Sequence, residues 1–313
     1  MEQTPLEPAA RAAAALARGD LVGLPTETVY GLGADATQAD AVAKIFAAKG
    51  RPHFNPLISH VASLEAAEAL GVFSPLARKM AHAFWPGPLS LVVPRQADCA
   101  VCDLACAGLD TIALRVPAHP LMQEVLRAFG KPVAAPSANI SGRPSPTTAD
   151  HVRAEFGDRL ALVLDGGPSA VGLESAVVAV LGDRATLLRL GGLTREALEA
   201  VAGPLLTPDA SAKAAPASPG MILRHYAPQA PVRLNATHAQ PGEVMIGFGP
   251  GYEGAAFNLS PSGDLAEAAA HLFAMLRAAD ALNPTAIVIA PIPKTGLGEA
   301  IADRLARAAD RSC

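Results

Sequence analysis

The sequence predicts an α/β chain in two unequal parts: a larger unit over residues 1–206 on a twisted mixed sheet, an arm over 207–230, and a small parallel-sheet α/β unit over 231–313. Three observations carry this. Short apolar runs of strand length alternate with amphipathic stretches of helix length, without a strict βαβ repeat in the first two hundred residues. Near residues 204–220, PLLTPDASAKAAPASPG, the composition turns to Pro, Ala and Ser, which reads as a linker. Beyond it, strands and helices alternate as in a small parallel sheet. A length of 313 residues suits two domains, and 50% hydrophobic residues suffice for two cores.

Taken in order, residues 8–18 read as a helix opened by Pro8 and stopped by Gly19. Leu21 to Leu24 is an apolar strand that Pro25 ends, followed by a polar turn that takes in Thr26, Glu27, Thr28, Tyr30, Gly31 and Gly33. Residues 38–49 place Ala41, Val42, Ile45 and Phe46 on one helical face and stop at Gly50. Strands follow at 57–61, 89–93, 111–116, 133–135 and 161–164, with helices at 64–70, 75–84 (N-cap Ser74), 119–129 and 149–156. Strands 175–180 and 185–189 form a hairpin across Gly182-Asp183, and Thr194 caps a helix running to Ala202. In the second unit strands are expected at 232–234, 243–247 and 286–290, and helices at 265–282 and 298–309.

Charge excludes some partners. There are 17 basic against 20 acidic residues up to residue 205, and 8 against 9 beyond it, so neither part is a basic nucleic-acid binder overall. Apolar runs are far shorter than the roughly 20 residues of a membrane span. The first residues carry Glu2 and Glu7 and no basic n-region, so no signal peptide is expected, and a cytoplasmic protein is the default. Of four cysteines, Cys99, Cys102 and Cys106 cluster, but no second CxxC or HxxxH accompanies them. They read as reduced thiols in a loop, and no metal site is assigned.

The chemistry gathers between residues 21 and 60. Lys49 and Arg51 flank Gly50 at a helix end and in an open loop, where adjacent cations suit a polyphosphate. Helix-end cations usually only complement the helix dipole, so the pair alone decides little. There is no GxxxxGK[ST], and GLGADA lacks the third glycine of a Rossmann turn, so any ATP site is of another kind. A loop of small residues with Ser137, Asn139, Ser141 and Ser145 offers amides and hydroxyls at close approach.

Seven blocks in order, PTETVYGL, KGRPHFNPLISH, PGPLSLVVPR, TIALRVPAHP, PSANISGRPSPT, LDGGPSAVGLESAVV and SPGMILRHYAP, resemble the YrdC-type threonylcarbamoyl-AMP synthases in their long, two-domain form. The resemblance covers residues 8–228. It implies a concave mixed sheet and an adenylate-forming enzyme, a nucleotidyltransferase that uses L-threonine, bicarbonate and ATP. It implies Thr28, His60, Arg115 and Ser175 for threonine. Lys49, Arg51, Asn55, Thr111, Ser137, Ser145, Arg189 and Tyr226 are implied for ATP, with Lys49 and Arg51 as the catalytic cations. Mg²⁺ is expected among the phosphates, although no acidic cluster is dedicated to it. The implied product feeds a tRNA threonylcarbamoyl transferase complex that modifies position 37, with weak RNA binding and no membrane partner. The arm is expected to fold over the cleft as a lid with Tyr226 near ATP. Ala176 after Glu174-Ser175, and Ile222-Leu223 after SPGM, depart from the usual family residues.

Two other readings compete. A double-stranded RNA-binding module would use the concave face without catalysis, but acidic net charge and 4% aromatic residues count against it. A hydrogenase-type carbamoyl-transfer factor would carry zinc-finger and acylphosphatase segments, and the sequence has neither.

Overall fold

The computed structural model describes residues 7–51, 55–208 and 226–310. Most of the expected arm, Arg224 and His225 included, lies outside the described residues. The first unit contains α1 (Pro8–Ala17), β1 (Val22–Leu24), β2 (Gly31–Asp35), α2 (Ala39–Lys49), β3 (Ile58–His60), α3 (Leu64–Glu68), α4 (Pro75–Phe84) and β4 (Leu89–Pro94). It continues through α5 (Asp103–Cys106), β5 (Thr111–Arg115), α6 (Pro120–Phe129), β6 (Val133–Ala134), α7 (Ala149–Phe156), β7 (Leu162–Val163), β8 (Ala176–Leu181), β9 (Arg184–Arg189) and α8 (Arg195–Ala202). The second holds β10 (Val232–Arg233), β11 (Glu243–Gly247), β12 (Phe257–Asn258), α9 (Leu265–Ala281), β13 (Ala286–Ile289) and α10 (Leu297–Ala309).

Nine strands form one mixed sheet in the order β7-β1-β2-β6-β3-β5-β4-β8-β9. β3 runs parallel to β5 and β4 to β8, while β5 is antiparallel to β4 and β8 to β9. Local signals explain many element ends: Pro75 follows the Ser74 cap, Thr148 and Thr194 cap α7 and α8, and Gly50 closes α2 at φ 60°.

One expectation is corrected here. Gly31 and Gly33 belong not to a polar turn but to β2, a fully buried strand paired with β1 and β6. Glycine disfavours strands, yet a Cβ at Gly33 would lie 2.4 Å from Leu24 Cδ1. Only a residue without a side chain lets the two strands pack this closely. The cysteine loop is also partly helical, since α5 carries Cys106 into the core.

The central strands alternate between two faces. Leu91, Val93, Ile112, Leu114, Val178 and Val180 face the main core with α2 and α4. The opposite face carries a small apolar strip of Ile58, Val92, Ala113, Val177 and Ala179, with Leu188 against it. That period puts Thr111, Ala113 and Arg115 of β5 on the strip side, together with Ile58 and His60 of β3.

The second unit is a four-stranded, all-parallel sheet in the order β10-β13-β11-β12, packed with α9 and α10. β12, two residues long, has no sequence signal of its own. The two units meet through an apolar contact, with Val29 and Leu173 of the first packed into the core of the second, and through charged side chains. Arg277 of α9 donates to Glu155 at 2.9 Å and to the Pro144 carbonyl, and Arg304 of α10 donates to Glu174 at 3.0 Å.

Candidate active site

The turn after β1 is organised by Thr26. Its hydroxyl donates to the Val29 carbonyl at 2.6 Å and accepts the amides of Thr28 and Val29. A hydroxyl has one hydrogen, so at the 2.8 Å contact between the two threonines Thr28 donates. The Thr28 oxygen in turn accepts from Arg115 Nη1 at 2.9 Å. Arg115, at the end of β5 opposite His60, also donates to Glu27 at 2.6 Å and to the Gly87 carbonyl at 3.2 Å. Glu27 is held by the Ala118 amide at 3.0 Å, so the buried guanidinium is fixed along three directions.

A second cation approaches from β9. A bulge between Val177 and Val178 shifts the register, and Arg189 donates to the Ser175 carbonyl at 2.9 Å and its hydroxyl at 3.1 Å. Ser175 also meets Ser90 at 2.8 Å. The return strand can come this close because Gly191 has no side chain; a Cβ there would lie 2.3 Å from the Glu174 carbonyl oxygen. Burial pushes the Glu174 carboxyl up, but Arg304, Arg189 and the Ser145 hydroxyl outweigh it and hold it below the usual range.

These groups surround a small open cavity of about 50 Å³. Thr28, Arg51, His60, Arg115, Ser137, Ser175, Arg189 and Tyr226 line it among others. His60 is buried; burial first, and then the Arg115 charge, push its imidazole down to about 3. Its Nδ1 meets no partner among the described residues, nor does Asn55 Oδ1. Tyr226 stacks on Phe273 with centroids 5.3 Å apart, and burial raises its hydroxyl to about 12.

The other expected nucleotide residues are not all on this wall. Arg51 is corrected from an open loop to a buried position. It donates to the carbonyls of Asn55 and Pro56, and burial, followed by the Arg189 charge, lowers it to about 10. It also lines a neighbouring cavity with Asn55, Arg143 and Arg277. Lys49 is buried behind the small-residue loop, its ammonium held by the carbonyls of Ser137 at 2.6 Å and Asn139 at 2.5 Å. Ser145 is fully buried and donates to Glu174 at 2.5 Å. Thr111 lies at the far end of β5, about 13 Å from Arg115 at the usual strand rise.

Some residues that shape the site were not singled out from sequence. Glu27 and Glu174 lie inside the quoted blocks, and their acidic character beside a cluster of cations was the available signal. Ser90 also lies inside a quoted block but carries no charge to mark it, and Arg304 had no signal, because their partners are 85 and 130 residues away. Among the described residues, no group of three or more His, Cys, Asp or Glu side chains could hold a metal ion.

A family model, Sua5/YciO/YrdC, described as telomere recombination, matches residues 14–191. The chain belongs to the Sua5/YciO/YrdC family. A second model, the C-terminal domain of threonylcarbamoyl-AMP synthase, matches residues 193–310. The threonylcarbamoyl-AMP synthase of Bacillus subtilis is 42% identical, with 96% of this chain and 92% of that protein covered. That of Pyrococcus abyssi is 40% identical, with 95% and 92% covered. The crystal structure of P. abyssi Sua5 complexed with L-threonine superposes with a TM-score of 0.88 at 38% identity, covering 96% of this chain and 94% of that one. E. coli YciO, at 19% identity and a TM-score of 0.54, shares the fold of the larger unit. The twisted mixed sheet with a separate parallel sheet is thus that of two-domain Sua5 proteins. No described helix is long and apolar enough to cross a membrane.

Proposed function

We propose that this chain is an L-threonylcarbamoyladenylate synthase, an enzyme that makes threonylcarbamoyl-AMP and pyrophosphate from L-threonine, bicarbonate and ATP. The observation that carries the reading is the convergence of Arg115, Thr28 and Ser175, with Arg189 beside them, at one end of an apolar strip. Arg115 is a fixed fork for the amino-acid carboxylate. The unpartnered His60 Nδ1 and the hydroxyls of Thr28 and Ser175 suit the remaining polar groups of threonine.

The threonine amine adds to the bicarbonate carbon, and water leaves, giving a carbamate. A carbamate oxygen then attacks the α-phosphorus of ATP, forming the mixed anhydride as the bond to pyrophosphate breaks. Such chemistry needs alignment and charge compensation more than a nucleophilic side chain. Arg51 and Arg189 supply positive charge at the cavity wall, with Lys49 bracing the Ser137 loop from behind. The strip of Ile58, Val92 and Ala113, with Thr111 at its far end, offers an apolar bed for the adenosine; Asn55, Ser137 and Tyr226 complete the ATP set, and Ser145 supports it from behind through Glu174. The described residues provide no carboxylate cage for Mg²⁺, so the ion would arrive on the phosphate oxygens with water as its other ligands. The labile adenylate would pass in the cytoplasm to a tRNA threonylcarbamoyl transferase acting at position 37.

Pyrophosphate release tests the reading. Release should require ATP, L-threonine and bicarbonate together. Release from ATP independent of either co-substrate would overturn it.

A further inference from the structure

The guanidinium of Arg304 lies at the junction of the two units, and two of its four contacts, Glu174 and Tyr226, are to residues that line the cavity. Arg304 belongs to α10, yet is 1% exposed. Its Nε donates to Glu174 Oε2 at 3.0 Å, and Nη2 donates to the Leu190 carbonyl at 2.6 Å. Nη1 donates to Asp303 at 2.7 Å, and the guanidinium carbon lies 5.2 Å from the centre of the Tyr226 ring. Glu174 and Tyr226 both line the cavity. The second oxygen of Glu174 accepts from Ser145, the buried hydroxyl at the end of the small-residue loop.

We propose that Arg304 is a positioning residue for the nucleotide end of the site, so that the C-terminal unit completes the ATP pocket through Glu174 and Tyr226. The inference rests on the synthase reading above. The chemistry requires arginine at this position. Only a planar fork can donate to a carboxylate and a main-chain carbonyl while presenting its face to an aromatic ring. Without that charge Glu174 would be a buried carboxylate with Arg189 as its nearest remaining cation. Arg189 now holds the Ser175 carbonyl, so a turn of Arg189 toward Glu174 would also disturb the phosphate side. A plain interdomain clamp would not need these links. The Arg195–Glu299 pair, at 2.8 Å and partly exposed, joins α8 to α10 without touching a cavity residue, and serves as the internal control.

The test uses the full chain and three variants: Arg304→Met, Arg195→Met and the charge-neutral double variant Glu174→Gln/Arg304→Met. Calorimetry measures equilibrium binding of a non-hydrolysable ATP analogue and of L-threonine, and pyrophosphate release gives KM for each substrate. Arg304→Met should weaken ATP binding about tenfold or more while threonine affinity shifts less than about threefold. Arg195→Met should leave both affinities at the parent values. Should Arg304→Met not fold, the double variant decides, since it removes both charges of the Glu174–Arg304 pair; its ATP affinity should remain low. Parent-like ATP affinity in either Arg304 variant, or equal losses for both ligands, would overturn the proposal. A parent protein that fails to bind the ATP analogue would overturn the nucleotide reading and this inference together.

Discussion

Arg115→Ala removes the cation best placed for an amino-acid carboxylate, and the structure gives the scale of two separate effects. A hydrogen bond to a charged group contributes about 1.5–3 kcal/mol. At about 1.4 kcal/mol per factor of ten, the threonine KM should rise roughly 10- to 150-fold. The ATP KM should move far less, because Arg51 and Arg189 are untouched. The second effect concerns stability. Glu27, 13% exposed at its side chain, would lose its partner at 2.6 Å. Breaking a buried pair from one side costs about 3–5 kcal/mol, a large part of the ~5–15 kcal/mol that holds a typical domain together. The double variant Glu27→Gln/Arg115→Ala removes the stranded charge, and should recover much of the lost Tm but none of the lost threonine affinity. Pyrophosphate release with each substrate varied in turn, next to a thermal melt, separates the two. A folded variant in which both KM values change equally would refute the assignment and make Arg115 a structural ion-pair partner.

Arg51→Ala should lower turnover at least about tenfold through loss of a charge-assisted phosphate contact. Because Arg51 also holds the Asn55 and Pro56 carbonyls, a loss of about 1–3 kcal/mol in denaturant unfolding should accompany it; near-normal turnover would remove Arg51 from the site. The depressed imidazole of His60 makes the native state bind fewer protons than the unfolded chain between its folded value of about 3 and the unfolded value near 6.5. Its contribution is therefore complete above the unfolded value and is lost as pH falls toward 3. His60→Phe should flatten that part of a stability-against-pH curve, and an unchanged slope would contradict the burial argument. The triple variant Cys99→Ser, Cys102→Ser, Cys106→Ser should keep activity and bind no less metal than the parent. Its melting point should drop, since a hydroxyl replaces the buried Cys106 thiol. Stoichiometric zinc in the parent that disappears in the variant would reverse that expectation.

Helices with a cap and a stop were legible in the sequence, as were apolar strands of ordinary composition. α4 follows its Ser74 cap, α2 ends at Gly50, and the β8–β9 hairpin turns at Gly182-Asp183. These signals act over a few residues, so the sequence states them directly. β2 was not legible, because Gly-Leu-Gly-Ala-Asp has poor strand propensity and becomes a strand only between two neighbours that need glycine's missing side chain. The ordered blocks named the cavity residues, but not what each one does there. Lys49 and Arg51 are adjacent in sequence and look alike, yet one braces a loop through two carbonyls while the other faces the cavity. Arg304 carries no local mark. Its role follows from a partner 130 residues away, brought within 3.0 Å by the docking of one hydrophobic core against another. The sequence by itself determined the family resemblance, the chemical types at the site and most of the elements, though not β2 or β12. Tertiary structure alone decided which charges are buried, which are paired and which face the substrate, because burial and pairing depend on contacts between segments distant in the chain.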